Sequence, residues 1–375
     1  MNLETHIVRW SKGLDKGALM IIALISFIGI FAAISTSAYQ AARINASAGF
    51  FLIRFFWYVW PAIISLFILS MFSTKWIKLM AVAGSGGFLA LSFATQAFRA
   101  VGGAHRWIFI HGVSMQPSEF LKAFAAIFGA MLIVRIKHAS TEQERNRWLG
   151  ILGAFYGLIF LALFMQPDFG TLLIFAAMLG AQALVAGIAW KWIGAGVGLL
   201  AGIMAAAYTL LPHIARRIAI FFAPAGGDGA RRQIDFALDT IRNAGFFGRE
   251  SSTRAFIPDV HTDFVFSAIA EEFGIIVALV PVVLFFIFGL AMLHRIRDLK
   301  NPFNVIAATG IVVYLMFQVV VNLMSNLALI PTTGMTLPFI SYGGSSFVSS
   351  AVAVGLLLAL IQEYNARPER RHEKE

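Results

Sequence analysis

Apolar residues in this chain come in long runs with few polar interruptions, and the runs recur from end to end. Stretches near 20 residues match what an α-helix rising 1.5 Å per residue needs to cross about 30 Å of hydrocarbon. The pattern predicts helices at 18–37, 50–72, 76–95, 119–134, 149–166, 171–189, 191–211, 264–293, 303–329 and 340–362. A soluble domain has no use for so many apolar segments. The expected fold is therefore an all-α polytopic membrane protein with about ten transmembrane helices. The whole chain, 1–375, is expected to form one membrane domain, with 363–375 as a short tail.

Most predicted connections are short, and two are not. One runs from Gln96 to Pro117. The other is a large loop from His213 to Asp263, between the seventh and eighth helices. Loops that long in a compact protein are functional or disordered. This one has a Pro-Ala-Gly-Gly-Asp-Gly turn at 224–229. It continues with Ile234, Ala237, Leu238 and Ile241 at helical spacing within 231–242. That segment is basic as well as amphipathic, so it is expected to lie along a membrane surface.

Composition supports the membrane reading. Hydrophobic residues make up 59% of the chain and charged ones only 13%, against about 25% charged in soluble domains. The +10 net charge then reports topology before it reports any nucleic-acid partner. With the N-terminus in the cytoplasm, 17 of the 29 Lys and Arg fall in cytoplasmic segments. Arg43, Arg54, Arg99, Arg106 and Lys122 lie in or beside short loops on the other side, and the remaining arginines lie in the long loop. Both termini are accordingly expected to be cytoplasmic and the large loop exoplasmic. Met1 to Lys16 is polar and mildly basic, and no A-x-A-like site follows the first apolar run. The first helix is therefore expected to stay as an anchor.

Zero cysteines exclude disulfides and thiolate metal sites. There is no phosphate-loop, zinc-protease or dinucleotide fingerprint. Gly84, Gly86 and Gly87 sit within an apolar run, where close helix packing explains them better than a phosphate loop.

Ionisable residues in or at the edge of spans are costly, and such positions are functional candidates by default. Glu119, Lys122, Asp168, Asp263, Glu271 and Glu272 qualify. Glu119 and Lys122 have the spacing and order of an intrahelical ion pair. That pair could neutralise itself inside the bundle, line a substrate groove, or do both. Asp168, after Pro167 at a helix–helix corner, suits an N-cap. Pro258 to Phe264 brings Asp259, His261 and Asp263 to the mouth of the eighth helix. A helix N-terminus favours ionised Asp263 as a cap, whereas desolvation disfavours the charge and suits a base. Both readings stand. The run Pro331 to Ser346 mixes prolines, glycines and hydroxyls where the last helix enters. Non-helical backbone there needs protein or a wet cavity around it, so either a re-entrant wall or tight packing through Gly343 and Gly344 accounts for it.

At these residues the chain resembles the SEDS family (shape, elongation, division and sporulation proteins). The matching motifs are Gly103-Ala104-His105-Arg106-Trp107-Ile108, Gln116-Pro117-Ser118-Glu119-Phe120-Leu121-Lys122, Gln166-Pro167-Asp168-Phe169-Gly170, Pro258 to Glu272, and Leu337-Pro338-Phe339-Ile340-Ser341-Tyr342-Gly343-Gly344-Ser345-Ser346. They occur in family order across roughly 15–365, and Thr336 to Pro338 with Ser341 to Ser346 looks more like the division branch than the elongation branch. The resemblance implies a peptidoglycan glycosyltransferase that polymerises lipid II during septal wall synthesis. It would sit in the bacterial cytoplasmic membrane and work with a class B penicillin-binding transpeptidase and other division proteins. No nucleic acid is implied.

The resemblance places the family's essential loop aspartate on Asp263, its acid–base pair on Glu119 and Lys122, and its loop arginine on Arg106. Asp263 is expected to be catalytic, as general base for the acceptor hydroxyl. Arg106, Gln116, Glu119, Lys122, Arg249, His261, Ser341, Gly343, Gly344 and Ser345 are expected to bind substrate, with Arg254 a weaker candidate. Arg106 and Lys122 would face the departing pyrophosphate. No cofactor is required, and a divalent cation (Mg or Mn) would be compatible. Two departures flank the site: Thr333 stands where the division branch commonly has lysine, and the glycine-rich stretch is shortened to 245–252. A lipid II flippase and a non-catalytic scaffold that recruits a transpeptidase are the alternative readings.

Overall fold

The computed structural model describes residues 8, 10–43, 50–101, 103–110, 113–210, 212–223, 230–248 and 263–365. Its helices are α1 (Lys16–Arg43), α2 (Phe50–Ser70), α3 (Thr74–Ala94), α4 (Pro117–Lys137), α5 (Glu142–Met165), α6 (Phe169–Val185) and α7 (Trp190–Leu210). There follow α8 (Pro212–Phe222), α9 (Ala230–Asn243), α10 (Val265–Phe273), α11 (Ile275–Arg297), α12 (Pro302–Asn326) and α13 (Gly344–Asn365). Every apolar run singled out in the sequence is mostly helical. Among the described residues, α1, α3, α5, α11, α12 and α13 are long and apolar enough to cross a membrane. The chain is a polytopic helical membrane protein.

Local chemistry sets the helix ends. Asn301 accepts the Phe303 N–H at 3.0 Å and Pro302 follows it, which starts α12. Thr141 accepts the Glu144 N–H at 3.1 Å and starts α5. Cationic residues close α4 (Arg135, Lys137) and α11 (His294, Arg295, Arg297), where the helix dipole favours positive charge.

Helices α12 and α13 form the buried centre, while α1, α3 and α5 turn most of their surface outward. Close approach depends on glycine. A Cβ at Gly355 of α13 would lie 2.7 Å from the Leu66 carbonyl of α2. One at Gly84 of α3 would lie 2.7 Å from the Phe124 ring of α4. Gly86 and Gly87 have open space around them, so the packing explanation holds for Gly84 alone.

Three features depart from the sequence-based expectation. The helix expected over 264–293 is two helices. Gly274 (φ +88) breaks it, and the Ile275 N–H that a continuous helix would bond to its own preceding turn is given to the Gly245 carbonyl at 3.1 Å. The last helix begins at Gly344, not near 340, and 331–343 is non-helical, with 337–341 buried. The all-α expectation also misses a small antiparallel hairpin, β1 (Ile108–Ile110) with β2 (Val113–Met115), in register Ile108↔Met115, Phe109↔Ser114 and Ile110↔Val113.

At the Lys16 end of the bundle, Asp15 caps α1 through the Ala18 N–H (2.9 Å) and pairs with Arg295 at the end of α11. Asp263 and the start of α10 lie at the opposite end of α11, so that ion pair and the candidate site mark the two faces of the bundle.

Candidate active site

The hairpin positions the first functional side chain. Arg106 enters just before β1 and Gln116 leaves just after β2, so the pairing of Ile108 with Met115 brings the two side by side. Both reach the corner between α5 and α6. Arg106 Nε donates to the Gln166 carbonyl at 3.1 Å, its Nη2 donates to the Pro167 carbonyl, and its Nη1 lies 3.7 Å from Asp168 Oδ1. Gln116 Nε2 donates to Asp168 Oδ2 at 3.3 Å. Asp168 also does what its position suggests, accepting the Thr171 N–H at 3.3 Å and the Thr171 hydroxyl at 3.0 Å. One carboxylate thus caps α6 and holds the planar guanidinium, whose fork suits a fixed set of acceptors.

Asp263 arrives from a different part of the chain. Its main-chain carbonyl accepts Asn322 Nδ2 at 3.1 Å and Asn326 Nδ2 at 2.9 Å. Phe264 stands at the cap position of α10 and makes no side-chain hydrogen bond there. Two buried amides on α12 fix the Asp263 main chain.

Residues 334–336 lie between these two parts. A Cβ placed on Gly334 (φ +70) would be 3.8 Å from Arg106 Nη1 and 3.8 Å from Asp263 Oδ2. The guanidinium and the carboxylate therefore stand at most twice that distance apart, over one glycine. The next two carbonyls are tied to α12: Met335 O accepts Asn322 Nδ2 at 2.6 Å, and Thr336 O accepts Gln318 Nε2 at 2.9 Å.

Gln318 connects this strip to the acid–base pair. Lys122 Nζ donates to Glu119 Oε1 at 2.9 Å and to Gln318 Oε1 at 2.7 Å, and Glu119 Oε2 accepts the Ser349 hydroxyl at 3.3 Å. Lys122 is 1% exposed. Its charge is spent inside the bundle, on Glu119 and on orienting Gln318.

Of the remaining expected residues, Ser341 accepts the Leu337 N–H at 2.8 Å and braces the turn. Gly343 packs on Thr336, with 3.2 Å from a notional Cβ to Thr336 Cγ2, and Gly344 lies against the Tyr58 ring. Ser345 Oγ and Thr333 Oγ1 are buried with no hydrogen-bond partner among the described residues. Arg249, Arg254 and His261 lie outside the described residues. So the structure brings Arg106, Gln116 and Asp263 together, sets Glu119 and Lys122 one layer deeper, and gives Ser341 and Gly344 bracing positions.

Gln318, Asn322 and Asn326, not among the sequence candidates, hold the site's main chain. Their signal was present: three amides, each four residues from the next, share one face of an apolar helix.

A polytopic helical bundle with an arginine and an aspartate converging at one end, fixed by buried amides, defines the class as a membrane-embedded protein with a polar site at one face. A family model described as cell cycle protein, covering FtsW, RodA and SpoVE, matches residues 16–366. The chain belongs to this family, the SEDS proteins. It is 33% identical over 369 residues to a probable peptidoglycan glycosyltransferase FtsW of Caulobacter vibrioides, covering 96% of this chain and 92% of that one. With the FtsW of Neisseria gonorrhoeae, of the same description, it shares 29% identity over 98% of this chain and 88% of that one. Solved structures share the fold. A chain of a peptidoglycan synthase complex that coordinates polymerization and crosslinking superimposes with a TM-score of 0.77 at 24% identity, over 94% of this chain and 98% of that one. The rod shape determining protein RodA of Thermus thermophilus gives 0.68 at 23% identity, over 93% and 96%.

Proposed function

We propose that this chain is a peptidoglycan glycosyltransferase that polymerises lipid II into glycan strands in septal wall synthesis. The observation that carries the reading is the convergence of Arg106 and Asp263 over Gly334, the first held by its guanidinium and the second by its main chain. The reaction joins the 4-hydroxyl of an acceptor sugar to the anomeric carbon of a donor and expels a lipid pyrophosphate. Asp263 takes the hydroxyl proton, which requires a base within hydrogen-bond reach. Arg106 faces the negative charge that grows on the departing pyrophosphate, where a preorganised cation contributes most.

The other residues position these two. The Gln166 and Pro167 carbonyls and Asp168, itself held by Gln116, fix the guanidinium, while Asn322 and Asn326 hold the Asp263 main chain. Glu119 and Lys122 act through Gln318 on Thr336. Among the described residues no group of three His, Cys, Asp or Glu side chains could hold a metal; a divalent cation would be compatible with Asp263 acting together with substrate phosphates.

Lipid tails stay in the bilayer, so the site opens both to lipid and to the exoplasm, with Lys16 and Arg295 at the cytoplasmic face. The likeness to a synthase complex in which polymerization is coordinated with crosslinking supports a class B penicillin-binding transpeptidase as partner. Purified protein supplied with labelled lipid II tests the activity. Glycan polymer is expected. Translocation without polymer would mean a flippase, and neither product would mean a scaffold.

A further inference from the structure

Gly245-Phe246-Phe247-Gly248 is a tight turn between α9 and the segment leading to α10, and it presents two phenylalanines outward. Phe246 is 71% exposed and Phe247 87% exposed. Both flanking glycines have positive φ (Gly245 +67, Gly248 +94), a conformation glycine adopts without steric cost. The turn is rigidly seated. Ile275 N–H bonds the Gly245 carbonyl at 3.1 Å, and Gly274 packs directly on the Phe246 main chain. Two adjacent, largely exposed phenylalanines on a fixed turn form an apolar patch of the kind that marks a protein or membrane contact.

The depth of the turn identifies that contact. Asp15 and Arg295 pair at one face of the bundle. From Lys16, beside that pair, Phe31 lies fifteen residues along α1, about 22 Å at 1.5 Å per residue. Phe31 meets Phe273, the residue before Gly274, with ring centroids 5.2 Å apart. From Arg295, Ile275 lies twenty residues back along α11, about 30 Å. The first route places the turn in the outer part of a hydrocarbon layer about 30 Å thick, and the second places it at the outer edge of that layer. The surface is also continuous with one that faces lipid. Phe27 and Phe31 stack on the exposed side of α1, 6.5 Å between centroids, and run up to Phe273.

We infer that the 245–248 turn is a membrane-inserted finger, with Phe246 and Phe247 among the acyl chains of the leaflet on the Asp263 side. It anchors the end of α9 and the kink at Gly274 at a fixed depth. Because α10 runs from that kink to Asp263, the finger sets the height of Asp263 relative to the bilayer. The inference does not depend on the enzymatic reading.

The absence of cysteine makes the test direct. Phe247→Cys in the full chain, labelled with a nitroxide and reconstituted in phospholipid nanodiscs, reports its collisions with oxygen and with a water-soluble nickel chelate. Arg242→Cys on α9, whose native side chain is 72% exposed, serves as the aqueous reference. The oxygen-to-nickel ratio is expected to be several-fold higher at 247 than at 242. A ratio equal to the reference would place the turn in water and overturn the inference. Low collision with both probes would mean that protein covers the turn, and would overturn it equally. Phe246→Cys gives the same reading should the first variant fold poorly.

Discussion

Asn322 holds two main-chain segments at once: its Nδ2 donates to the Asp263 carbonyl at 3.1 Å and to the Met335 carbonyl at 2.6 Å. One amide on α12 thus ties the acid's own backbone to the strip that runs beneath Arg106. This tie fixes the main chain on both sides of the proposed site.

Replacing Asn322 with Leu keeps the branched shape and removes the donor. The Met335 carbonyl loses its amide while the Asp263 carbonyl keeps Asn326; a buried carbonyl left unsatisfied costs about 1–3 kcal/mol, and about 1.4 kcal/mol corresponds to a tenfold change in rate. Asn322→Leu is expected to lower the initial rate of lipid II polymerisation at least about tenfold, while the protein still reaches the membrane. Rates at the wild-type level would show that Asp263 needs no such support.

Arg106→Lys separates charge from shape. Lysine keeps the positive charge but loses the fork that bonds Gln166 and Pro167 while facing Asp168. The rate is expected to fall by about ten- to hundredfold on the scale of one lost charge-assisted hydrogen bond network. Substrate titration checks this, and an unchanged rate would mean that only the charge matters.

The buried Glu119–Lys122 pair makes a prediction about stability. Removing one partner strands a charge in the bundle and costs about 3–5 kcal/mol, whereas replacing both is often close to neutral. Lys122→Met is therefore expected to lower the thermal midpoint in detergent sharply, and Glu119→Gln added to it should restore most of the loss. Additive losses would show that the two side chains are not coupled.

The sequence carried more of the fold than of the site. Apolar run length marked every long helix because hydrocarbon thickness sets that length directly. Nothing in 264–293 marks the break at Gly274, since an isolated glycine costs a helix only about 1 kcal/mol. The break depends on Gly245, thirty residues upstream, which accepts the Ile275 N–H. The hairpin strands are three residues each, too short for an alternating pattern to stand out.

The site was legible as residue types and not as partners. Asp168 reads as a cap and is one, but its contact with Arg106 spans sixty-two positions that no local pattern connects. Lys122 reads as a cation near substrate, yet α4 turns it inward to Gln318. The Gln318, Asn322 and Asn326 ladder is visible as spacing once neutral amides are weighed as heavily as charges.

Asp263→Asn tests the central claim most directly. The substitution is nearly isosteric and leaves untouched the main-chain carbonyl that Asn322 and Asn326 hold, but the amide cannot take up the acceptor's proton. Purified Asp263→Asn protein, supplied with labelled lipid II and read as glycan chains on a gel, is expected to match the wild type in yield and thermal midpoint and to make no polymer. Polymer at a near-normal rate would contradict the assignment of Asp263 as the base.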